Sequence, residues 1–305
     1  SGTSASGKSL ICRLLDGHPD LKVIHRHDKI LSSLAFPYEN WNIFLKKYIT
    51  KDKISNIGLK YFPKKDKKSV LLKYKSKKIK FYLTPFLLRK MLIDFTGYYL
   101  NETQSWLKRT DSSVSSTNYK YDVFNFDFKK HDHFIFSKIF GNKKKILTPE
   151  NILNIFMESF VNNLYKKKNN KKIVYMGENN LNTIEMILKE NFETKIIYML
   201  RHEKGILLSR SIRQVMQENT KEKNLLKKIN KKMENNLYAN YLKMIKKNKI
   251  RILDLQKNYP KKIKNINLKD IFKNKVKTVN SICEWLSIKQ SSKTHFVSFY
   301  NKKIK

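Results

Sequence analysis

The residues whose types and spacing most clearly suit a chemical function stand at the start of the chain. Positions 2–9 are GTSASGKS and satisfy the pattern GxxxxGK[ST]. The two glycines let the backbone curl so that successive N–H groups point at one oxyanion, and a following helix adds the positive end of its dipole. A frayed Ser/Gly-rich terminus is the alternative, but an apolar helical pattern begins at Leu10. The pattern predicts a phosphate-binding loop made of Ser4, Ala5, Ser6, Gly7, Lys8 and Ser9.

A second candidate group follows the apolar run KIIYML at residues 195–200. Arg201 stands directly after this predicted strand, and ligands of open parallel sheets bind at the carboxyl ends of the strands. Ser209 comes eight residues later, on a predicted helix. A guanidinium and a hydroxyl that converge in this way could hold a second phosphate group. From these residues alone, a surface arginine and an ordinary helix serine are as good an interpretation as a phosphate-binding pair.

The elements that must position these residues alternate along the chain. An apolar helix over 10–16 stops at Gly17-His18-Pro19, and a strand follows at 21–24. This alternation predicts an α/β fold, a three-layer sandwich around a central parallel sheet of the P-loop NTPase type. Strands are predicted at 172–176, 195–200 and 250–253, and helices at 151–165 (capped by Thr148, with Pro149 first), 181–191, 205–217, 221–246 and 276–286.

Two features bound the domain organisation. Residues 35–145 are irregular and rich in Tyr, Phe and Lys, and we interpret them as a mostly helical insertion. A phosphate loop normally follows a β-strand, and none precedes it here. We therefore expect a single α/β domain over 1–305 whose first strand is missing from this sequence.

The charge of the chain is extreme, with 65 Lys and Arg against 25 Asp and Glu, a formal net charge of +40. Only eight of the basic residues are Arg, whereas phosphate and base recognition usually depends on Arg forks. We therefore place a basic nucleic-acid-binding protein third among the function classes. The positive field still favours anionic donors, acidic glycans and peripheral contact with an anionic membrane.

The cysteines and the apolar segments bear on the compartment. Cys12 and Cys283 both lie in apolar helical patterns, which gives no disulfide framework and makes the reducing cytoplasm the default expectation. The most apolar stretch, residues 81–100, contains Arg89, Lys90 and Asp94, so it does not predict a membrane-spanning helix.

A metal-dependent reaction has weak support in the sequence. A kinase needs an acidic residue at a strand end to hold Mg²⁺, and the only strand-end acid predicted in the second half is Asp254. An ATP-dependent kinase of a small molecule is therefore the alternative function. The His-Asp-His run at 131–133 has no further Cys or His cluster beside it, so we interpret it as a surface loop and predict no metal site.

Three segments resemble the sulfotransferase family. Residues 1–21 (SGTSASGKSLICRLLDGHPDL) are similar to the 5′-phosphosulfate loop and first helix of that family. Residues 195–214 (KIIYMLRHEKGILLSRSIRQ) are similar to its 3′-phosphate segment, and 276–288 (VKTVNSICEWLSI) to a helix near its C-terminus. The three segments keep the family's order and spacing and cover about a fifth of the chain.

The resemblance implies an activity and a donor. The donor would be 3′-phosphoadenosine 5′-phosphosulfate (PAPS), and the reaction a metal-free sulfuryl transfer to a hydroxyl or amine, with a small molecule, carbohydrate or lipid-linked glycan as acceptor. The loop would hold the 5′-phosphosulfate, while Arg201 and Ser209 would hold the 3′-phosphate. Fixed cations and N–H donors at the loop would stabilise the negative charge that spreads over the transferring group.

The chain departs from the family at several positions. Ala5 stands where Arg or Lys is frequent and Lys8 where Ser or Thr is frequent, so Lys8 is the candidate catalytic cation. Many relatives carry a Glu base after the HPD turn. Here His25 and His27 are the candidates for that base, because a neutral imidazole titrates near working pH. Glu178 replaces a Lys-x-Pro turn and is a further acid/base candidate. A solvated basic turn and a simple loop are the alternatives for these positions.

Overall fold

The chain divides into two compact units. The first comprises Ser1–His25, Met176–Leu181 and Glu193–Lys305, and the second comprises Arg26–Tyr175 and Asn182–Phe192. The structure is a computed structural model that describes residues 6–24, 31, 34, 35, 38, 69–77, 80–92, 127–141, 146–164, 172–175, 181–217, 236–295, 298–299 and 302–303.

The described residues show a mixed α/β fold in which helices predominate and short strands pair in parallel at two places. None of the described helices is both long and apolar enough to cross a bilayer. Residues 85–92 are helical, and the other elements are α1 (Lys8–Leu15), β1 (Leu21–Ile24), β2 (Val70–Lys73), β3 (Lys80–Leu83), α2 (Phe128–Phe140), β4 (Ile146–Leu147), α3 (Pro149–Leu164), β5 (Lys172–Tyr175), α4 (Leu181–Lys189), β6 (Ile196–Leu200), α5 (Glu203–Gln217), α6 (Asn236–Asn258), β7 (Ile263–Asn267), α7 (Leu268–Lys273), α8 (Lys275–Leu286), a 3₁₀ turn (Ser292–His295), β8 (Ser298–Phe299) and β9 (Lys302–Lys303).

The first unit is organised around the parallel pair β6–β7. Its register joins Ile196 to Ile263 and continues to Leu200 and Asn267, so both strands end at the same edge. Four of the five β6 side chains are buried, as expected for a parallel strand covered on both faces. The sequence predicted β6 within one residue but missed β7, whose two apolar residues, Ile263 and Ile266, are three positions apart and do not show the two-residue period of a strand.

The predicted strand at 250–253 is wrong, because these residues lie within helix α6. The burial pattern shows the helical period. Ile245 and Ile252, seven residues apart, are buried, whereas Ile250 is 63% exposed. Asp254 is therefore an exposed helix residue and does not stand at the end of a strand.

The second unit contains an antiparallel hairpin, β2–β3, with β4 added in parallel to β2. The region 35–145, predicted as mostly helical, therefore also contains strands. Val70, Leu72 and Tyr74 are buried while Lys73 and Lys75 are exposed, which is the two-residue period of a half-buried strand. The prediction of a mostly helical region did not take this alternation of apolar and lysine residues into account.

The cap predicted for the long helix of the second unit is confirmed. Thr148 Oγ1 accepts a hydrogen bond from the Asn151 backbone N–H at 3.2 Å, and Asn151 Oδ1 accepts one from the Thr148 N–H at 3.0 Å. Pro149 is the first residue of α3, where its missing N–H removes no helical hydrogen bond. The apolar face of α3 then packs against α2.

A buried carboxylate holds the turn that follows β2. Glu190, just after α4, is buried and accepts hydrogen bonds from the Ser76 N–H at 3.0 Å, from the Ser76 hydroxyl and from the Lys75 N–H. Tyr38 joins the cluster, because its hydroxyl lies 3.1 Å from Ser76 Oγ and its carbonyl accepts from Lys77 Nζ at 2.6 Å. The carboxylate thereby satisfies backbone donors that the turn leaves unpaired.

The substitution Glu190→Gln is expected to lower the free energy of unfolding by about 1–3 kcal/mol, because both carboxylate oxygens accept hydrogen bonds, whereas an amide keeps one acceptor oxygen and turns an NH₂ group toward another donor. Urea unfolding measures the change. Glu185→Gln on α4 is the control. Its 3.8 Å ion pair with Lys189 is a surface i,i+4 pair, so its loss should cost no more than about 0.5 kcal/mol. Equal effects of the two variants would contradict this role of Glu190.

The His-Asp-His run does not form a surface loop, and this interpretation was wrong. All three residues lie on α2, and His131 is fully buried. His131 Nδ1 lies 2.7 Å from Ser159 Oγ on α3, and its imidazole ring packs edge-on against Phe156 and Phe160. Burial lowers the pKa of His131 from 6.5 to about 3, so the ring is neutral in the folded chain.

A defined acid sensitivity follows from this buried ring. Between pH 6.5 and about 3 the unfolded chain binds a proton at His131 that the folded chain does not bind. Stability should therefore fall as pH falls through this window, by up to about 1.4 kcal/mol per pH unit. Urea unfolding across pH should show a shallower slope for His131→Phe, whereas His133→Phe, at an exposed position of the same helix, should keep the parent slope.

Candidate anion-binding site

The predicted phosphate loop meets α1 through a left-handed residue. Gly7 has φ 99° and ψ 9° and is the N-cap of the helix, which begins at Lys8. Its carbonyl accepts hydrogen bonds from the Leu10 N–H at 2.9 Å and the Ile11 N–H at 3.2 Å. A left-handed residue at this point favours glycine, and the helix begins directly after it. Lys8 is half-buried and Ser9 is exposed in the first turn.

The hydroxyl of Ser6 lacks a hydrogen-bond partner within the described part of the chain, although the residue is fully buried. Leaving a buried hydroxyl unsatisfied costs about 1–3 kcal/mol. Ser6 directly precedes the left-handed turn, so an anion seated in the loop would give this hydroxyl an acceptor. A buried orphan donor at this position is the best indication of a ligand in the first unit.

Gly7 lies at the edge where β6 and β7 end. A Cβ placed on Gly7 would lie 2.6 Å from Leu268 Cδ1, so the glycine backbone is in close contact with this side chain. Leu268 is the first residue after β7, and Arg201 is the first residue after β6. Because Leu200 pairs with Asn267 in the parallel register, Leu268 and Arg201 leave the sheet side by side. The structure thus brings Gly7 to the edge where Arg201 emerges.

Arg201 folds back over the first turn of α5. A Cβ placed on Gly205 would lie 3.0 Å from Arg201 Nε and 3.6 Å from Cζ, so the guanidinium stem occupies the space that a side chain would fill. Ser209 lies one helical turn further on and, at i+4, shares the helix face of Gly205. Ser209 is half-buried. The predicted pair of Arg201 and Ser209 therefore lies along one face of α5.

Helix α5 is fixed in place by α6. Glu203 accepts a 2.9 Å hydrogen bond from Lys249 Nζ, which lowers the pKa of this carboxyl. The guanidinium of Arg210 stacks on the Tyr241 ring at 4.2 Å. A small apolar cluster joins the two helices beneath these contacts, formed by Ile206, Leu207 and Ile245 with the partly buried Tyr241 and Leu242.

The turn after α1 is tied to the end of α8. The buried His18 lies with Nε2 2.7 Å from the Lys289 carbonyl, and its Nδ1 accepts from the Asp20 N–H at 3.0 Å. Because Nδ1 is an acceptor here, Nε2 carries the proton and donates it. This bond holds the HPD turn against the segment that follows α8.

Neither cysteine is suited to nucleophilic chemistry. Cys12 and Cys283 are buried free thiols. Burial raises the pKa of Cys12 to about 11, although the nearby Lys8 charge acts in the opposite direction. Burial likewise raises the pKa of Cys283. The thiolate is the reactive form, so both groups are inert near neutral pH.

Several predicted residues lie outside the described part of the chain, and their roles stay predictions. Among the described residues, no group of three or more His, Cys, Asp or Glu side chains could hold a metal ion. Sequence reasoning missed Leu268, which no motif marks, and Gly205, for which a glycine in the first turn of a helix was the available signal. The predicted residues outside the described part are Ser4, Ala5, His25, His27 and Glu178.

Compared with known proteins, the chain matches no family model, no curated protein and no solved structure.

The two left-handed glycines that flank α1 offer a matched test of the loop. Gly7 (φ 99°) and Gly17 (φ 80°) should each lose about 1 kcal/mol or more of stability on substitution by Ala. Gly7→Ala should also lose thermal stabilisation by inorganic phosphate, because the added methyl displaces the loop from Leu268. Gly17→Ala should retain it. Undiminished phosphate stabilisation of Gly7→Ala would rule out the loop as the anion site.

Proposed function

We propose that the chain is a sulfotransferase-like enzyme that transfers a sulfuryl group from PAPS to a hydroxyl or amine of a carbohydrate or lipid-linked glycan. One observation carries the proposal. The buried, unsatisfied hydroxyl of Ser6 and the left-handed Gly7 lie at the edge of the sheet where Arg201 emerges. Two anion-binding groups at one edge are what a donor with separate 5′ and 3′ acidic groups requires.

The residues present suit the two ends of such a donor. Ser6, Gly7 and Lys8 would hold the 5′-phosphosulfate through the hydroxyl, the helix N–H groups and a positive charge. Arg201 and Ser209 would hold the 3′-phosphate, for which a guanidinium fork is the preferred partner. The donor supplies the sulfuryl group, and the chain supplies fixed positive charge to the oxygens of the transferring group.

The acceptor proton needs a base, and we propose His25, His27 or Glu178 for this role. A base must come within hydrogen-bond reach of the acceptor hydroxyl and titrate near the working pH, which an imidazole does without perturbation. The cation of the loop, Lys8, would act on the sulfuryl oxygens and take no part in this proton transfer.

The wider fold and the compartment belong to the same proposal. The parallel pair β6–β7, with α5 and α6 between its strands in the chain, is the kind of unit from which a three-layer P-loop sandwich is built. Buried free thiols at Cys12 and Cys283 suit the reducing cytoplasm. The kinase alternative depended on Asp254, and the exposed position of this residue on α6 removes its support.

Thermal unfolding with nucleotides tests the proposal. Adenosine 3′,5′-bisphosphate without metal should raise the Tm of the full chain, because a ligand at 100 times its Kd stabilises the folded state by about 2.7 kcal/mol. ATP with Mg²⁺ should raise it less. Stabilisation by Mg²⁺-ATP alone would favour a kinase, and indifference to both nucleotides with salt-dependent duplex binding would favour a nucleic-acid-binding protein.

Variants around Arg201 sharpen this test. Arg201→Ala should weaken binding of the bisphosphate by about tenfold or more, with little change for adenosine 5′-phosphosulfate, which has no 3′-phosphate. Gly205→Ala should move affinity in the same direction, because the new methyl meets the Arg201 stem. Arg210→Ala on the same helix is the control, since that guanidinium stacks on Tyr241. An equal loss for both ligands would contradict the assignment of Arg201 to the 3′-phosphate.

A further inference from the structure

The junction of α7 and α8 carries exposed apolar side chains among lysines. Phe272 is 76% exposed and Val276 is 38% exposed. We call this group the junction surface, and it consists of Phe272 and Val276 with the exposed Lys269, Lys273, Lys275 and Lys277.

Phe272 is exposed although the helices on either side of the junction, α7 and α8, have a buried apolar side. The same two helices bury Leu268, Ile271, Val279 and Ile282 on their inner side. An aromatic ring left outside a complete apolar contact is a feature of the surface, and such rings mark interaction sites when they adjoin other apolar groups. The junction surface is thus an outward-facing feature of well-packed helices.

The junction is also rigid. The Asn274 N–H donates to the Asp270 carbonyl at 2.9 Å, and Asn274 Oδ1 accepts from the Lys277 N–H at 3.0 Å, which caps α8. Thr278 Oγ1 donates to the Asp270 carbonyl at 3.0 Å and so links the two helices. The two helices that carry Phe272 and Val276 are therefore joined to each other before any partner arrives.

The charge around the junction surface selects an anionic partner. Asp270 is the only carboxylate between residues 268 and 283, and no Arg occurs after residue 251. Lysines place their aliphatic stems on apolar surface and their ammonium groups among lipid headgroups, whereas nucleic-acid readout favours Arg. We propose that the junction surface docks on an anionic lipid bilayer, with Phe272 and Val276 in the interfacial layer and the four lysines on the headgroups.

The junction surface adjoins the candidate anion site. Leu268, against Gly7, is the first residue of α7, and Phe272 comes one helical turn later, a rise of about 6 Å. Docking would hold the loop close to the bilayer surface. If the proposed sulfuryl transfer is correct, and only then, this placement favours a lipid-linked acceptor whose sugar lies among the headgroups.

Vesicle cosedimentation of the full chain tests the docking directly. Vesicles of phosphatidylcholine with phosphatidylserine should bind the chain, and Phe272→Ala should weaken this binding roughly tenfold at a salt concentration that screens distant charges. Phe86→Ala is the matched control, because Phe86 is another exposed ring (52%) with a lysine, Lys90, 5.2 Å from its centre. This control should bind like the parent chain.

Vesicle cosedimentation also tests the contribution of the lysines of the junction surface. The double variant Lys273→Glu, Lys277→Glu should lose more binding than Lys129→Glu, Lys130→Glu, which makes the same change in net charge on α2. In Phe272→Trp, the added fluorescence should shift to the blue and be quenched by brominated lipid.

Two results would overturn the docking proposal. Equal losses for Phe272→Ala and Phe86→Ala would show that binding reflects net charge alone. Loss of duplex binding in Phe272→Ala, with vesicle binding intact, would assign the surface to nucleic acid. Binding of adenosine 3′,5′-bisphosphate should be the same in Phe272→Ala and the parent chain, so vesicle and nucleotide measurements separate the docking proposal from the proposed enzyme activity.

Discussion

The parallel pairing of β6 with β7 is the constraint on which the candidate site depends. The register that joins Leu200 to Asn267 makes the next residue of each strand, Arg201 and Leu268, emerge at one edge. Leu268 then supports the left-handed Gly7, and Arg201 turns back over α5. A shift of this register by one residue would exchange the two faces of the strand and separate both contacts.

This arrangement also explains how a chain with so much positive charge can present a defined site. Repulsion among lysines favours extended side chains in solvent, and the site itself depends mainly on neutral contacts. Gly7 against Leu268 and Gly205 beneath Arg201 are steric relations that ionic strength does not weaken. Burial fixes the Ser6 hydroxyl in the same way. Any selectivity of the candidate site would therefore come from shape and from a few oriented donors, while the bulk charge would raise the local concentration of anions.

Much of the first unit could be predicted from local pattern, because α1, β1, β6 and α8 have clear apolar periods and α1 ends at a glycine. The wrong strand at 250–253 and the missed strand β7 are short segments in which the spacing of apolar residues does not distinguish a helix from a strand. The run at 250–253 is too short to distinguish a strand from a helix, and β7 is a strand only because β6 offers it a partner. Motifs in the sequence indicated Arg201 and the loop. Leu268 and Gly205 belong to no motif, and only their tertiary contacts with Gly7 and Arg201 identify them.

The position of α7 joins two properties that the sequence presents separately. Its first residue, Leu268, is packed against Gly7, and its last turn exposes Phe272 beside lysines. The helix between these points is only six residues long, and its outer end is joined to α8 by the bonds that the Asp270 carbonyl accepts from the Asn274 N–H and the Thr278 hydroxyl. Any partner that orders the outer end therefore also restrains Leu268 at the inner end. A bilayer at the junction surface would then stabilise the loop conformation that an anion requires, and by linkage a bound anion would favour docking to the same degree.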